Sequence, residues 1–382
     1  MDSKNKITVA FFLPSLEPGG TEKNVVNLVN GIDKDTYQVF LVLGKKKGEF
    51  LQQVSLDVFV ISLNASGSLG LFLALVKYFY REKPDIFVSA FTRINLISIL
   101  SRFFSGRGNN IKIVATEHAM FSLLANITRS TVHKIFAIFF LRPIGKILYP
   151  KADSVICVSE GMAKDFIKNV GCKEKVTVVY NPVTNDDMIK KSEESDFEKE
   201  ITDIKAPIVL AVGRLVECKN YPGLFKAFAL VLATTPSYLV ILGRGPEEQA
   251  LKHLARKMDL SEHVLFMGFK QNPYKYMKKA SIFVLSSLQE GFGNVIVEAM
   301  AVGCPVVATD CPTGPGEIIT HMKNGMLVKV DDEKDLARAI ATILKDSVLS
   351  SRLSQEGIKR AGDFSVKKSI QEYERIFQSI VR

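Results

Sequence analysis

The sequence predicts an α/β protein of two domains, each built on a mainly parallel sheet with helices on both faces. Short runs rich in Val and Ile alternate with longer segments whose apolar residues recur at helical spacing. The alternation stops near residue 182, crosses a polar stretch, and then starts again. A chain of 382 residues exceeds one ordinary domain, so two domains of roughly 150–200 residues are expected.

The first occurrence of the pattern covers residues 1–182. Its predicted strands are Ile7–Leu13, Gln38–Leu43, Val58–Ser62, Ile86–Ala90, Lys112–Thr116, Ser154–Ser159 and Val176–Tyr180. Between them, helical spacing is found at Asn24–Ile32, Leu69–Arg81 and Gly161–Asn169. Continuous Val- and Ile-rich strands of this kind are typical of parallel sheets that are covered on both faces.

The second occurrence follows the polar stretch Thr184–Lys205, which we interpret as the connection between two Rossmann-like domains. Its predicted strands are Ile208–Val212, Tyr238–Leu242, Val264–Met267, Ile282–Leu285, Val306–Thr309 and Met326–Val330. Two helices close the chain, at Glu333–Leu344 and Ser365–Ile380. The domains are therefore predicted at residues 1–182 and 206–364. Two such domains facing one another would form a cleft at the carboxyl ends of their strands, where ligands of open α/β sheets bind.

Composition excludes several classes of protein. With 47% hydrophobic and 24% charged residues, the chain is expected to be globular rather than disordered. Five cysteines without paired short spacing argue against a disulfide framework and against a zinc site, and they suit a reducing cytoplasm. The first residues lack the apolar core of a secretory signal. The most apolar stretch, Ile135–Leu148, is interrupted by Arg142, Pro143 and Lys146 and is too short to span a bilayer.

The net charge of +10 is unevenly distributed. Residues 1–182 contain 23 Lys and Arg against 14 Asp and Glu, a net charge of +9, whereas the rest of the chain has a net charge of +1. A basic first half indicates attraction to anionic lipid head groups, to a diphosphate-bearing ligand or to nucleic acid. A solvated basic surface explains the same numbers.

Two features of the first half lie where predicted strands end. Gly19 and Gly20 precede a helix that is expected to begin near Lys23, and glycines at such a turn let backbone N–H groups approach a phosphate. They are equally explained as turn glycines. His118 follows the strand ending at Thr116, where an imidazole can contact a reacting sugar or a leaving phosphate. A lone histidine of this kind is also commonly a hydrogen-bonded structural residue.

The second half opens with cations after its first strand. Arg214 and Lys219 can neutralise a diphosphate, the arginine through its bidentate fork and the lysine as a point charge. The alternative is a pair of surface cations, although Gly213 before Arg214 favours the phosphate interpretation. Gly243 and Gly245 follow the next strand, and a tight turn before a helix explains them adequately.

The strongest pattern is the segment 286–300, in which a strand leads through a glycine-rich loop into a helix that starts near Gly293. Glu290 lies in the loop, and Glu298 lies eight residues later in the helix. The N–H groups at the start of a helix face a phosphate position, while the two carboxylates can accept hydrogen bonds from sugar and ribose hydroxyls. Loop acid, glycines and helix acid together predict a binding site.

No metal site is predicted. Asp33 and Asp35 match the Asp-x-Asp pattern by which many sugar-nucleotide enzymes hold a metal ion. However, they follow a helix in a turn before Tyr37, where no strand presents them to the expected cleft. We interpret this pair as a solvated turn.

The combination of these residues resembles the group 1 family of retaining GT-B glycosyltransferases over essentially the whole chain. The matching pieces are the Gly-Gly-Thr-Glu segment 19–22, His118, Gly213-Arg214 with Lys219, Gly243-x-Gly245-Pro246, and the E-x7-E pair Glu290 and Glu298. Residues Cys311–Ile318 are similar to members that extend surface or lipid-linked glycans, often with N-acetylhexosamines. The resemblance implies two facing Rossmann-like domains, with the last helix (365–382) crossing back to the first.

The resemblance also implies roles. The donor, a nucleotide sugar and most simply a UDP-sugar, would bind the second domain, and the acceptor would bind mainly the first. Arg214 and Lys219 would hold the diphosphate, Glu290 the transferred sugar and Glu298 the ribose. The segment Gly293, Asn294 and Val295 would supply backbone contacts to phosphate or sugar. His118, Gly19 and Gly20 would lie near the reacting centre. Transfer would proceed with retention and without metal or other cofactor, by same-face attack in which the leaving phosphate helps to deprotonate the acceptor.

Two other classes of function remain open on the sequence: a GT-B-fold nucleotide-sugar epimerase and a non-catalytic carbohydrate- or nucleotide-binding protein. The expected partners are a nucleotide sugar and a glycan or polyprenyl-diphosphate-linked acceptor, with no nucleic acid. The segment His133–Lys151 mixes bulky apolar residues with cations, as an interfacial helix does. It predicts a cytoplasmic protein on the inner face of the membrane, although a buried helix would have the same composition.

Overall fold

The computed structural model describes residues 6–106, 110–123 and 142–381. The chain divides into two compact units, the first formed by Met1–Pro182 with Val366–Arg382 and the second by Val183–Ser365. All strand pairs among the described residues are parallel, so each unit has one parallel sheet, as predicted.

The sheet of the first unit has seven strands in the order β3-β2-β1-β4-β5-β6-β7. These strands are β1 Ile7–Leu13, β2 Tyr37–Leu43, β3 Phe59–Ser62, β4 Ile86–Ala90, β5 Lys112–Glu117, β6 Ser154–Cys157 and β7 Val176–Val178. The central strands β1 and β4 are almost fully buried, because Val, Ile and Phe side chains alternate between two covered faces. A buried aromatic cluster supports them, with the Phe79 and Phe87 rings edge to face at 4.7 Å between centroids.

The helices of the first unit form two layers. They are α1 Gly20–Gly31, α2 Gly67–Glu82, α3 Thr92–Phe104, α4 Arg142–Leu148, α5 Glu160–Val170 and α15 Val366–Val381. From β1 to β3 the chain adds strands towards one edge of the sheet. After β3 it crosses back over the sheet, and β4 to β7 are added towards the other edge. Because parallel crossovers are right-handed, α2, α3 and α4 lie on one face of the sheet and α1 on the opposite face.

The last helix, α15, packs on α1 and completes the first unit, as predicted for the C-terminal helix. The Phe377 ring lies edge to face against Phe11 and Tyr37, at centroid distances of 6.3 and 5.9 Å. The two helices approach closely at Gly31 of α1, where a Cβ would lie 2.3 Å from the Ile370 Cδ1 atom and would require that side chain to shift. The core under this layer therefore depends on residues more than 300 positions apart.

The sheet of the second unit has six strands in the order β10-β9-β8-β11-β12-β13. The strands are β8 Ile208–Val212, β9 Tyr238–Leu242, β10 Val264–Gly268, β11 Ile282–Leu285, β12 Val306–Thr309 and β13 Met326–Val328. The helices are α6 Asp186–Ser192, α7 Lys199–Thr202, α8 Tyr221–Leu232, α9 Glu248–Lys257, α10 Tyr274–Lys279, α11 Asn294–Ala301, α12 Pro315–Ile318, α13 Glu333–Lys345 and α14 Ser347–Ala361. Buried side chains of α8 and α13 share one apolar core with β8 and β9.

The polar stretch expected to connect the two domains belongs to the second unit and contains α6 and α7. Its acidic residues hold it against the lysines of α10, with Asp196 Oδ1 2.7 Å from Lys275 Nζ and Phe197 packed edge to face on Tyr276. These are tertiary contacts, which explains why the segment folds in spite of its polar composition.

In both sheets the order in which the chain adds strands reverses at one place. This place lies between β1 and β4 in the first sheet and between β8 and β11 in the second. At such a switch point, the loops leaving the two strands diverge to opposite faces and leave a crevice at the carboxyl edge of the sheet. Each unit therefore has its own crevice. The double glycine, Arg214, Lys219 and Glu290 follow the strands that form these crevices, whereas His118 follows β5, the strand next to β4.

Candidate active site

The crevice of the second unit begins with the loops after β8 and β9, which lie in contact. The Gly213 amide donates to the Leu242 carbonyl over 2.9 Å, and the Leu215 amide donates to the Arg244 carbonyl over 3.0 Å. Glycine is required at position 243, where φ is +140° and a Cβ would lie 1.9 Å from the Gly213 carbonyl oxygen. Close packing of two backbones thus accounts for the Gly-x-Gly segment, and it fixes the loop that presents Arg214 and Lys219.

An ion pair links the two sides of this crevice. Lys219, after β8, places its Nζ atom 2.5 Å from Glu290 Oε1 in the loop after β11. The Ser287 hydroxyl donates to the same oxygen over 2.6 Å. Only 10% of the Glu290 side chain and 18% of that of Lys219 are exposed. With Oε1 occupied by two donors, Oε2 is the carboxylate oxygen left to accept from a ligand.

The Glu290 loop is held by hydroxyl groups from the next strand and loop. Thr309 Oγ1 donates to the Ser287 carbonyl over 2.5 Å, and Thr313 Oγ1 donates to the Glu290 carbonyl. Gly314 is needed beside them, because its φ is +92° and a Cβ would lie 2.1 Å from the Phe292 carbonyl oxygen. Buried hydroxyl-to-carbonyl bonds of this kind fix the position of Glu290 before any ligand arrives.

Helix α11 begins directly after this loop. Gly293 is its N-terminal cap in the left-handed region, with φ at +98°, and Asn294 and Val295 form the first turn and are half-buried. The unpaired N–H groups of a first turn carry partial positive charge. Glu298 lies one turn further on and is also half-buried. Helix α11 packs against α10, and burial, together with the charge of Glu298, raises the pKa of Tyr274 on α10 well above its ordinary value.

Arg214 extends from the β8 loop with an exposed side chain. Among the described residues, no carboxylate lies within ion-pair distance of its guanidinium group. Lys219 is engaged by Glu290, whereas the exposed guanidinium group of Arg214 is available to an anionic ligand.

The crevice of the first unit contains the double glycine. Helix α1 begins at Gly20, three residues earlier than the sequence indicated, and Gly19 is its cap in an extended conformation. A Cβ on Gly19 would meet only the end of the flexible Glu22 side chain, at 2.2 Å from its Oε2 atom. The glycine is therefore not demanded by a positive φ, and the Glu22 carboxylate lies beside it at the start of α1.

His118 follows β5, which is separated from β1 by β4 in the sheet. Its Nε2 atom lies 3.0 Å from Thr116 Oγ1, and Thr116 donates its only hydroxyl proton to the Ser89 carbonyl. The imidazole must therefore donate through Nε2, which leaves Nδ1 as an acceptor. Burial lowers the pKa of His118 to about 4, so the ring is neutral near pH 7. It lines a small cavity with Asn24 and Asn181 at the carboxyl edge of the sheet.

Glu117, next to His118, is a buried carboxyl group that the sequence analysis did not single out. Thr92 Oγ1 donates to its Oε2 over 2.6 Å, while Asn95 Nδ2 at 2.7 Å and the Tyr149 hydroxyl donate to Oε1. Thr92 and Asn95 belong to the first turn of α3, whose dipole favours a carboxylate. Burial nevertheless raises the pKa of Glu117. This network joins α3 to the strand end that carries His118.

Phe91 precedes α3 with φ at +75°, a region that a side chain with a Cβ rarely occupies. Its half-buried ring lies 6.1 Å from that of His118. Strain of this kind costs of order 1–3 kcal/mol and is concentrated at functional sites. The outlier therefore marks the ends of β4 and β5 as part of the same crevice.

Two comparisons with known proteins cover the chain. A Glycosyltransferase Family 4 model matches residues 18–187, and a model for glycosyl transferases group 1 matches residues 192–360. Over 371 residues the chain is 30% identical to N-acetylgalactosamine-N,N'-diacetylbacillosaminyl-diphospho-undecaprenol 4-alpha-N-acetylgalactosaminyltransferase of Campylobacter jejuni, covering 94% of this chain and 96% of that relative. The chain belongs to the group 1 glycosyltransferases.

Other matches agree with this family. The chain is 31% identical over 232 residues to lipopolysaccharide core biosynthesis glycosyltransferase LpsE of Rhizobium meliloti, covering 60% of this chain and 66% of the relative. Among solved structures, HepE of Anabaena in complex with UDP and glucose superposes with a TM-score of 0.79 at 22% identity, covering 98% of this chain and all of that one. The predicted GT-B fold is confirmed.

The site residues predicted from the sequence of this group 1 glycosyltransferase fall into two groups. In the second unit, Lys219 and Glu290 are in direct contact, and Arg214 and Gly293 lie on the loops that hold them. In the first unit, Gly20 and His118 follow neighbouring parts of one sheet edge. Ser287 and the two threonines that fix the Glu290 loop were not predicted, because serine and threonine near strand ends are common.

Two further predictions concern other parts of this glycosyltransferase. Asp33 lies in a turn, where its carboxylate accepts hydrogen bonds from the Asp35 amide at 2.9 Å and the Thr36 hydroxyl at 2.6 Å. The predicted interfacial segment His133–Lys151 lies partly outside the described residues. Its described part forms α4 and the turn Tyr149–Lys151. Over the ranges that the structure describes, no helix combines the length and apolarity needed to cross a bilayer.

Proposed function

We propose that the protein is a retaining glycosyltransferase that moves a hexose or N-acetylhexosamine from a UDP-sugar to a glycan or a polyprenyl-diphosphate-linked acceptor. The Campylobacter relative, named for transfer of N-acetylgalactosamine to a diphospho-undecaprenol-linked sugar, supports the acceptor class. HepE, solved with UDP and glucose, supports the donor class. The Rhizobium relative, named for lipopolysaccharide core biosynthesis, supports a role in assembling surface glycans.

The observation that carries the proposal is that the two oxygens of the Glu290 carboxylate have different partners. Oε1 accepts from Lys219 and Ser287, so only Oε2 remains for hydroxyl groups of the transferred sugar. A carboxylate that is engaged by a cation in this way is a poor covalent nucleophile. We therefore assign Glu290 to positioning the sugar, and we assign retention to same-face attack in which the leaving diphosphate helps to deprotonate the acceptor.

Charge on the leaving diphosphate would be met without metal. Arg214 offers a bidentate fork, and Lys219 can donate a second N–H to the phosphate oxygens while it stays paired with Glu290. The first-turn amides at Gly293, Asn294 and Val295 would add hydrogen bonds at the start of α11. Glu298, on the same helix, would accept from the ribose hydroxyls. No cofactor besides the nucleotide sugar enters this scheme.

The first unit would receive the acceptor. His118 would accept a hydrogen bond from a sugar hydroxyl through Nδ1, since its Nε2 proton is directed at Thr116. The turn at Gly19 and Gly20, at the start of α1, would contact the diphosphate of a lipid-linked acceptor. Such an acceptor is anchored in a membrane, so we place the protein in the cytoplasm, on the inner face of the cytoplasmic membrane.

The test incubates the full chain with a panel of UDP-sugars and lipid-linked or soluble glycan acceptors. Transfer with retained anomeric configuration, in the presence of a chelator, is expected for wild type. Glu290→Gln should lower turnover by roughly 10²-fold or more, and Glu262→Gln, which alters an exposed acid in the same unit, should not. Unchanged transfer by Glu290→Gln would remove the assigned role of Glu290. Epimerised UDP-sugar without transfer, or binding without turnover, would favour the other two classes.

A further inference from the structure

One helical layer of the first unit carries exposed apolar side chains. Helices α2, α3 and α4 lie side by side on one face of the sheet, where α3 contacts both of its neighbours. The exposed large apolar side chains of this layer are Leu69, Leu73 and Tyr80 on α2, Leu100, Phe103 and Phe104 on α3, and Ile144 and Ile147 on α4. On the opposite layer, formed by α1 and α15, only Val381 is of this kind among the described residues.

The side chains on α2 and α3 form one continuous surface. The Phe72 ring of α2 packs edge to face on the Phe104 ring of α3, with centroids 5.5 Å apart. The Ser101 hydroxyl donates to the Phe72 carbonyl over 3.3 Å, which fixes the two helices at this point. We call the surface formed by Leu69, Phe72, Leu73, Leu100, Phe103 and Phe104 the α2–α3 patch. Contiguous exposed apolar area on a folded unit usually marks an interaction site.

Positive charge accompanies the patch. Helices α2, α3 and α4 contain six Lys and Arg residues against one acid, Glu82. Arg102 is buried and paired with Asp153, which leaves five cations that can attract an anionic surface. Helices α1 and α15 contain four against three, so the excess belongs to the layer with the exposed apolar side chains. On α2, Leu69, Leu73, Lys77 and Arg81 follow one another at four-residue spacing and share one exposed face. One half of that face is apolar and the other half is cationic.

We infer that the α2–α3 patch docks on the surface of an anionic lipid bilayer. Leucine and phenylalanine side chains are suited to the boundary between head groups and acyl chains, while lysine and arginine are attracted to anionic head groups. A tyrosine such as Tyr80, apolar with a polar tip, suits the same boundary. The inference rests on the proposed membrane-surface location, which it assigns to named side chains, and it does not depend on the transfer reaction.

The test measures sedimentation of the full chain with phosphatidylcholine vesicles, with and without phosphatidylglycerol, at low and high salt. The Leu73→Glu/Phe104→Glu double variant changes two side chains that are 57% and 67% exposed, so the fold should persist. The matched control is Leu230→Glu/Val348→Glu in the second unit, at residues that are 48% and 79% exposed. A third variant, Lys77→Gln/Arg81→Gln, removes charge alone. Circular dichroism checks that every variant is folded.

Wild type and the matched control should bind the anionic vesicles equally. The double glutamate variant should bind at least about tenfold more weakly. The charge variant should lose about fivefold for each cation, and this loss should shrink at high salt. If the double glutamate variant binds like wild type, or if wild type binds no anionic vesicle, the inference is overturned. Transfer to a soluble acceptor is measured in parallel and should survive in all variants. Failure of transfer in wild type would count against the proposed function alone.

Discussion

Substituting His118 with glutamine removes an imidazole that the fold keeps neutral. Burial lowers the pKa of His118 from 6.5 to about 4, in favour of the unprotonated ring. One pKa unit corresponds to about 1.36 kcal/mol, so this lowering amounts to about 3 kcal/mol. Because the unfolded chain binds this proton first, the folded state is stabilised above pH 6.5 and loses that advantage as the pH falls towards 4.

We therefore expect wild type to lose about 3 kcal/mol more stability than His118→Gln between pH 7 and pH 4. The chain contains no tryptophan, so unfolding by urea is best followed by far-ultraviolet circular dichroism at each pH. Proton NMR of the imidazole C–H groups provides a direct measurement, in which the variant identifies the His118 signal among the five histidines. A titration midpoint near 6.5, or identical pH profiles for wild type and variant, would refute the reasoning.

Three further predictions follow from the two units. Burial raises the pKa of Glu117, so its effect on stability has the opposite pH dependence to that of His118. In the same urea series, wild type should lose stability relative to Glu117→Gln as the pH rises above 4.5. Gly243→Ala should destabilise the second unit by at least about 3 kcal/mol, because φ is +140° and the new Cβ would overlap a carbonyl oxygen. Gly362→Ala, which meets no atom within 4 Å, is its control in thermal unfolding. Ser287→Ala should lower transfer about tenfold by removing a charge-assisted hydrogen bond to Glu290, measured as turnover at saturating donor.

Each of these expectations has a result that contradicts it. Parallel pH profiles for Glu117→Gln and wild type would mean that the carboxyl group titrates normally in the folded state. Equal midpoints for Gly243→Ala and Gly362→Ala would mean that the two loops can separate without cost. Full turnover by Ser287→Ala would show that Lys219 alone is enough to hold Glu290.

Much of the fold was predictable because its strands are nearly continuous apolar runs. Ile7–Leu13 and Ile208–Val212 were located to the residue, since Val and Ile between turn residues leave little choice of boundary. The start of α1 was misplaced because Gly19 caps it through backbone geometry alone, without a side chain that could be recognised. Helices α6 and α7 were missed because they are only seven and four residues long, too short for an apolar period to be recognised. The segment between them is held to α10 by the ion pair of Asp196, far from Lys275 along the chain.

The candidate site was predictable only in its charged residues. Glu290 and Lys219 were recognised by spacing, but their contact depends on β8 and β11 being neighbours, which is a property of the topology. The positive φ of Phe91 could not be predicted from the sequence, because no residue type that favours this conformation stands at position 91. Glu117 could have been noticed, because it ends a strand whose central residues are apolar, and a carboxyl group must find partners when it is buried.

The packing of α15 on α1 also has a consequence for synthesis of the chain. A ribosome that has completed Pro182 has produced every strand of the first sheet, yet Phe11 and Tyr37 still lack the Phe377 ring that covers them. The intervening 183 residues of the second unit must be translated first, which takes roughly 10–40 s at usual rates of elongation. During this interval the nascent first unit exposes an uncovered apolar surface. A chaperone would therefore act at this stage. A protein that lacks its last 16 residues would keep this apolar surface uncovered permanently.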